Sequence, residues 1–254
     1  MATPMAMPVP GIQAERDHAL DWVKWFALVA MVLDHIWFVL PPESQDPGYG
    51  LRVAGRLAFP LFCLAIAANV ARQPAGFPTG LGRYLGGMLL FAMLSQPAYA
   101  GFFSNGTLNI LFTLALSVPI AAAVQHRTPA LIVGAVLCVA IGYAYSFVLA
   151  YGIWGVLLPA VLVAAIRAQS SDLFQILAIV AGLVALLANG ALLAVFRDLT
   201  VVQYTQVAAI AVAPLLGLLM LQVQAPPPRP VGRWMYAFYP LHLLVLSSLA
   251  IAWS

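Results

Sequence analysis

Apolar runs of about 20 residues recur from one end of this chain to the other, with hardly a charge inside them. A helix needs roughly that length to cross the ~30 Å hydrocarbon core of a bilayer, because each residue rises ~1.5 Å. Nine stretches approach it: Trp22–Leu40, Leu51–Ala71, Arg83–Gly101, Leu108–Val124, Pro129–Ser146, Leu149–Arg167, Leu173–Val195, Val202–Gln222 and Val231–Trp253. Of 254 residues, 63% are hydrophobic and 7% charged. So few charged side chains cannot cover a water-soluble globule of this size. A soluble enzyme, a disordered chain and a disulfide scaffold are thereby excluded. The pattern predicts an all-α, polytopic transmembrane bundle of about nine spans.

The segments outside the spans are short. Residues 1–18, rich in Met, Pro and Ala, read as a flexible tail, and 19–254 as a single membrane domain. The first span is too long for a cleaved signal peptide and carries Asp34 and His35. Ala225–Pro230 (APPPRP) predicts a stiff, extended connector. No long-period repeat is visible. Cys63 and Cys138 lie inside apolar runs, which points to packing rather than to a disulfide or a metal site, and no metal is expected.

Orientation follows from the basic residues. With the N-terminus in the cytoplasm, Arg16, Lys24, Arg72, Arg83, Arg127, Arg167, Arg229 and Arg233 fall on the inner side, against Arg52, Arg56 and Arg197 toward the outer side. A basic excess placed this way is a topology signal, and no nucleic-acid partner is expected. Trp22, Trp25 and Trp234 then lie at the inner interface.

An ionisable side chain inside lipid costs roughly 3 kcal/mol on insertion scales, so its presence calls for a cause. The densest group comes from the first two spans. Asp34 and His35 lie near the outer end of the first, and Arg52 and Arg56 open the second on one helical face. A short hairpin between them brings an anion, a histidine and two guanidiniums together. Neighbours in a helix do not face each other, so Asp34 is expected to pair with Arg56 or Arg52 rather than to orient His35. A purely structural role explains the same residues equally well: an Asp–Arg clamp between helices, with His35 as a polar packing group.

A second set is weaker. Ser95, Gln96, Asn109 and Thr113 lie in the third and fourth spans, where hydrogen bonding between helices is the commoner role. Tyr151, Tyr239 and His242 are candidates to line the same cavity, and Asn69 fits packing. Asp21 and Lys24 read as a surface pair. Gly152 and Gly155 point to close helix approach. No phosphate-binding glycine loop, HExxH or GxSxG motif is present.

Taken together, ALDWVKWFALVAMVLDHI (19–36), LRVAGRLAFPLF (51–62), LSQPAY (94–99), LNILFTLAL (108–116), YGIWGVLLP (151–159) and FYPLHLLVL (238–246) closely resemble the TraX family, in the same order and nearly end to end. The combination of D-H-I, G-R-L-A-F-P, L-N-I-L-F-T-L and Y-P-x-H-L is specific. The tail and the fifth, seventh and eighth spans carry little of it.

The resemblance implies a multi-pass protein of the bacterial inner membrane that modifies a conjugative pilin subunit of a type IV secretion system. The family activity it brings is N-acetylation of the processed pilin terminus. Asp34, His35, Arg52, Arg56, Ser95, Gln96, Asn109, Thr113, Tyr151 and His242 are the matching polar positions. The first-span histidine is also similar to that of broader multi-pass acyltransferases. Acetyl-CoA is then the expected co-substrate, with Arg72 and Arg83 flanking an inner opening toward its phosphates. In that scheme His35 is the base and Arg52 or Arg56 stabilises the oxyanion. Head-to-tail pilin cyclisation by transpeptidation and a non-enzymatic assembly role remain the alternatives. A small-solute transporter has less support.

Overall fold

The structure, a computed structural model, describes residues 17–73, 78–192, 199–224, 226–232 and 234–253. The expected tail through Arg16, together with Arg197 and Arg233, lies outside the described residues. All regular structure among them is helical: α1 (His18–Val39), α2 (Pro42–Gln45), α3 (Tyr49–Gly55), α4 (Ala58–Ala71), α5 (Pro78–Phe102), α6 (Ile110–His126), α7 (Pro129–Ala144), α8 (Gly152–Ile166), α9 (Ser171–Ala188), α10 (Val201–Met220) and α11 (Trp234–Trp253). Helix α1 thus starts one residue inside the stretch assigned to the tail, where Asp17 caps it by accepting the Leu20 N–H at 2.8 Å.

The all-α membrane bundle agrees with the apolar pattern. Five segments are long and apolar enough to cross a membrane, and four further apolar helices are shorter. A count of nine spans therefore requires the four shorter helices to cross as well.

The second expected span is not one rod. Helix α3 stops at Gly55, and α4 starts at Ala58. Arg56 and Leu57 form a tight turn between them, their N–H groups reaching back three residues to Val53 and Ala54. Pro60 then falls in the first turn of α4, where a missing N–H costs nothing. The turn places Arg56 at a break in the helix.

Helix α4 is the hub. Nearly all its side chains are buried, and it packs against α1, α6, α8 and α10. Phe59, Leu61 and Leu64 join Val118 of α6 and Leu158 and Leu162 of α8 in the main core. A second core ties α1, α5 and α11 through Leu28, Met31, Ala98, Tyr99, Tyr239 and Leu243. The outward faces of α7 and α9 are apolar and exposed, including Val133, Val136, Leu137, Ile176 and Ile179. That arrangement suits a lipid-facing surface, since helices satisfy their own backbone and need only apolar side chains there.

Irregular backbone gathers at one end of the bundle. The α5–α6 and α7–α8 loops meet there: Leu108 N–H donates to Val148 at 2.6 Å, and Ala150 N–H donates to Leu108 at 3.2 Å. At the opposite end, the connector before α11 is tied to α1. Trp22 Nε1 donates to the Pro226 carbonyl at 2.9 Å and Trp25 Nε1 to that of Arg229 at 2.8 Å. Lys24, Arg72, Arg83 and Arg167 belong to this second, basic end.

Close backbone approach fixes some of the helix pairs. At Gly182 in α9, an added Cβ would lie 2.6 Å from the Ala211 carbonyl oxygen of α10. Backbone cannot yield as a side-chain tip can, so Gly182→Val should force α9 from α10 at about 1–3 kcal/mol. Thermal unfolding in detergent checks this: the Gly182 variant loses several degrees. Gly134→Ala in α7, with open space around it, does not.

Candidate functional site

At the irregular end, α1 presents Asp34 to the broken helix. Arg52 Nη1 donates to Asp34 Oδ1 at 2.7 Å, and Arg56 Nη2 lies 3.6 Å from the same oxygen. The carboxylate thus takes both guanidiniums rather than one. Gly55 makes this approach possible, because a Cβ there would sit 2.4 Å from Asp34. The Arg52 guanidinium also lies over the rings of Phe38 at 4.4 Å and Trp37 at 5.2 Å. Arg56 Nη1 donates to Asn189 Oδ1, a long contact at 3.4 Å, while its Nε–H is buried without a partner among the described residues.

His35 points away from Asp34, as adjacent helix positions require. Its partner is His242 of α11: His35 Nδ1 and His242 Nε2 are 2.7 Å apart, and the rings meet edge to edge, with planes 7° from parallel and centroids 5.0 Å apart. His242 Nδ1 donates to the Phe238 carbonyl at 3.1 Å. Phe102 and Phe103 enclose His35 from the α5 side.

These groups border a cavity of about 610 Å³, whose wall includes Asp34, His35, Arg52, Arg56, Tyr99, Tyr151 and Tyr239. Tyr151 starts α8 in the left-handed conformation (φ 67°), which is uncommon for a residue with a side chain. It stacks flat on Phe59 with centroids 3.7 Å apart. Gly155, one turn on, would carry a Cβ only 2.7 Å from that of Tyr151, so the close approach expected of the YGIWG segment is real.

A larger cavity of about 950 Å³ occupies the basic end, with Lys24, Asn69, Gln73, Arg83, Tyr84 and Tyr236 among its lining. Met31, Phe62, Ile110 and Tyr239 line both cavities. The two chambers therefore lie end to end along the bundle, separated by one layer of side chains.

Several expected residues have other places. Asn109 is not inside a span with Thr113 but caps α6, accepting the Leu111 N–H at 3.0 Å. Its amide donates to Ala92 O and to Gln96 Oε1, and Gln96 Nε2 donates to Thr107 O at 3.0 Å. Thr113 Oγ1 donates to the Ala150 carbonyl at 2.6 Å, and Ser95 is fully buried. None of these four is in either cavity wall; Gln96, Asn109 and Thr113 tie α5, α6 and the two end loops together, while the Ser95 hydroxyl has no partner among the described residues. His242 stands behind His35 rather than in the wall. Arg72 pairs with Asp17 instead of facing the basic chamber, which leaves Arg83 and Lys24 there. Asp21 and Lys24 pair at 3.5 Å, but Asp21 is buried, so the pair is not superficial. Asn69 lines a chamber rather than only packing.

Tyr99, Thr107 and Asn189 were not legible as site residues. Tyr99 Oη and Thr107 Oγ1 are 2.9 Å apart at the cavity rim. The one signal was the polar SNGT stretch after Phe102–Phe103, which marks a loop at a span end. Nothing in sequence connects Arg56 to Asn189.

The Asp34 clamp yields a stability prediction. Removing the carboxylate leaves two guanidiniums facing each other in a poorly solvated place. Asp34→Ala should destabilise by about 1–3 kcal/mol, and Asp34→Ala with Arg52→Gln by less than the sum of the two single changes. A double-mutant cycle on detergent unfolding reads this coupling.

A family described as "TraX protein" matches residues 19–250. "Protein TraX" of Escherichia coli is 31% identical over 234 residues, covering 91% of this chain and 87% of that protein. The "Probable fimbrial assembly protein FimC, serogroup H1" of Dichelobacter nodosus is 29% identical over 248 residues, covering 91% and 96%. No solved structure matches. On the extent of the family match and the identity to the Escherichia coli protein, this chain belongs to the TraX family.

Proposed function

We propose that this protein is a multi-pass acyltransferase of the bacterial inner membrane, which acetylates the N-terminal amine of a pilin subunit using acetyl-CoA. The observation that carries the reading is the pair of chambers sharing Met31, Phe62, Ile110 and Tyr239. An acyl donor held at the basic end can present its thioester, through that thin partition, to a nucleophile entering from the other end.

Lys24 and Arg83 supply positive charge at the basic chamber, where a nucleotide-bearing thioester would place its phosphates. Asn69, Gln73 and Tyr84 offer hydrogen bonds to an amide-bearing arm. In the far chamber the neutral amine attacks the thioester carbonyl carbon, forming the C–N bond. His35 takes one proton from the nitrogen. The charge that develops on the carbonyl oxygen is stabilised by Arg56, whose buried Nε–H has no partner among the described residues, with Arg52 beside it. The C–S bond then breaks, and the proton passes from His35 to the thiolate sulfur. The products are an amide and a free thiol. Asp34 holds the two guanidiniums in place.

The relative described as a fimbrial assembly protein favours a second reading, in which the chain helps a pilin assemble without altering it covalently. Intact mass of the cognate pilin, expressed with and without this protein, separates the cases. The acetyl reading expects one added acetyl group at the N-terminal residue, lost with His35→Ala in a sample that still folds. Loss of one water with no free terminus means cyclisation instead. An unchanged mass alongside a stable complex with pilin means an assembly factor. Arg56→Lys keeps the charge but removes the Nε–H, so it should slow acetylation by roughly 10²–10³-fold, as the loss of one oxyanion donor does.

A further inference from the structure

The transfer chemistry asks only for a base, yet the structure supplies two histidines in series. His242 lies outside the cavity wall, on a different helix from His35 and 207 residues away in sequence. Its geometry has a chemical consequence. A backbone carbonyl only accepts, so His242 Nδ1, 3.1 Å from Phe238 O, must carry a proton. In the neutral ring His242 Nε2 is then a bare lone pair. That nitrogen lies 2.7 Å from His35 Nδ1, which must therefore be the donor. The hydrogen on Nδ1 leaves the lone pair of His35 on Nε2, on the residue that lines the far cavity. Which nitrogen of an imidazole acts as base is set by the hydrogen bond the other one makes.

We propose that His242 is a positioning residue that locks His35 in the Nδ1–H tautomer, so that Nε2 is the basic atom at the site. The chain runs from the Phe238 carbonyl through His242 to His35, and each link leaves one acceptor for the next. When His35 Nε2 takes a proton, the resulting imidazolium keeps its Nδ1–H pointed at the His242 lone pair. His242 thus stabilises the charged form without itself touching substrate. The ring stacking of His242 on Phe238, with centroids 5.2 Å apart and planes 8° off parallel, holds it in register on α11. Of the charged and polar groups near the pair, Arg52 on α3 bonds to Asp34 and to neither histidine ring, whereas the Tyr239 backbone, like that of Phe238, bonds to His242 on the same helix. The catalytic part of this inference rests on the acyltransfer reading; the tautomer does not.

Only four histidines occur in the chain, so ¹⁵N-histidine-labelled protein in lipid nanodiscs gives a tractable spectrum. His35 in the unaltered protein should show a protonated Nδ1 and a bare Nε2. His242→Phe should redistribute that tautomer and slow pilin modification by roughly tenfold or more. His242→Gln, whose amide oxygen accepts from His35 Nδ1, should recover most of both. If His35 in the unaltered protein carries its proton on Nε2, the inference is overturned. It is equally overturned if His242→Phe keeps both the spectrum and the rate. Should His242→Phe fail to fold, the unaltered spectrum and His242→Gln still decide. A locked Nδ1–H tautomer in a protein that leaves pilin mass unchanged would defeat the acyltransfer reading while leaving the tautomer assignment standing.

Discussion

One carboxylate organises the functional end of this bundle. Two guanidiniums cannot stand side by side in a membrane protein without a counter-charge, and Asp34 supplies it to both Arg52 and Arg56. The clamp joins α1 to the broken α3–α4 segment, and it closes only because Gly55 has no side chain in the way. The break frees Arg56 from the regular helical path, so that two arginines in neighbouring turns converge on one oxygen. Around that point the rest of the site is arranged: aromatic rings over Arg52, Asn189 under Arg56, and His35 turned to the other side of α1.

The helix break also reconciles two demands that conflict in lipid. A functional cavity needs polar side chains and irregular backbone, whereas hydrocarbon tolerates neither when exposed to it. Here the α5–α6 and α7–α8 loops bond to each other, Asn109 and Gln96 satisfy the adjoining backbone groups, and Thr113 takes the carbonyl of Ala150. These residues hold open a space that they do not line. The apolar faces of α7 and α9 are left to face outward.

Placing two cavities on one axis gives the fold a direction. The basic chamber is larger and mostly apolar, with Asn69, Gln73 and Tyr84 among its few polar groups; the far chamber is smaller and holds the ion cluster and His35. A layer of Met31, Phe62, Ile110 and Tyr239 stands between them, drawn from α1, α4, α6 and α11. All four helices contribute to the two cores, so the partition is continuous with the packing that stabilises the bundle.

The sequence by itself determined the helical membrane class, because continuous apolar runs of about 20 residues, unlike the short alternating strands of a barrel, satisfy their backbone in lipid as helices. It also determined the pairing of Asp34 with the arginines, since a short hairpin leaves few other geometries. Local spacing was sufficient for both. Tertiary structure alone decided the break at Arg56, the contact of His35 with His242, and the removal of Ser95, Gln96, Asn109 and Thr113 from the cavity walls. Each of these depends on which helix stands next to which, and hydropathy is nearly blind to that. An apolar helix in lipid shows no strong apolar stripe, because both its buried and its exposed faces are apolar. Only the close contacts of packed side chains, such as Gly55 on Asp34 and Gly182 on Ala211, select the neighbours.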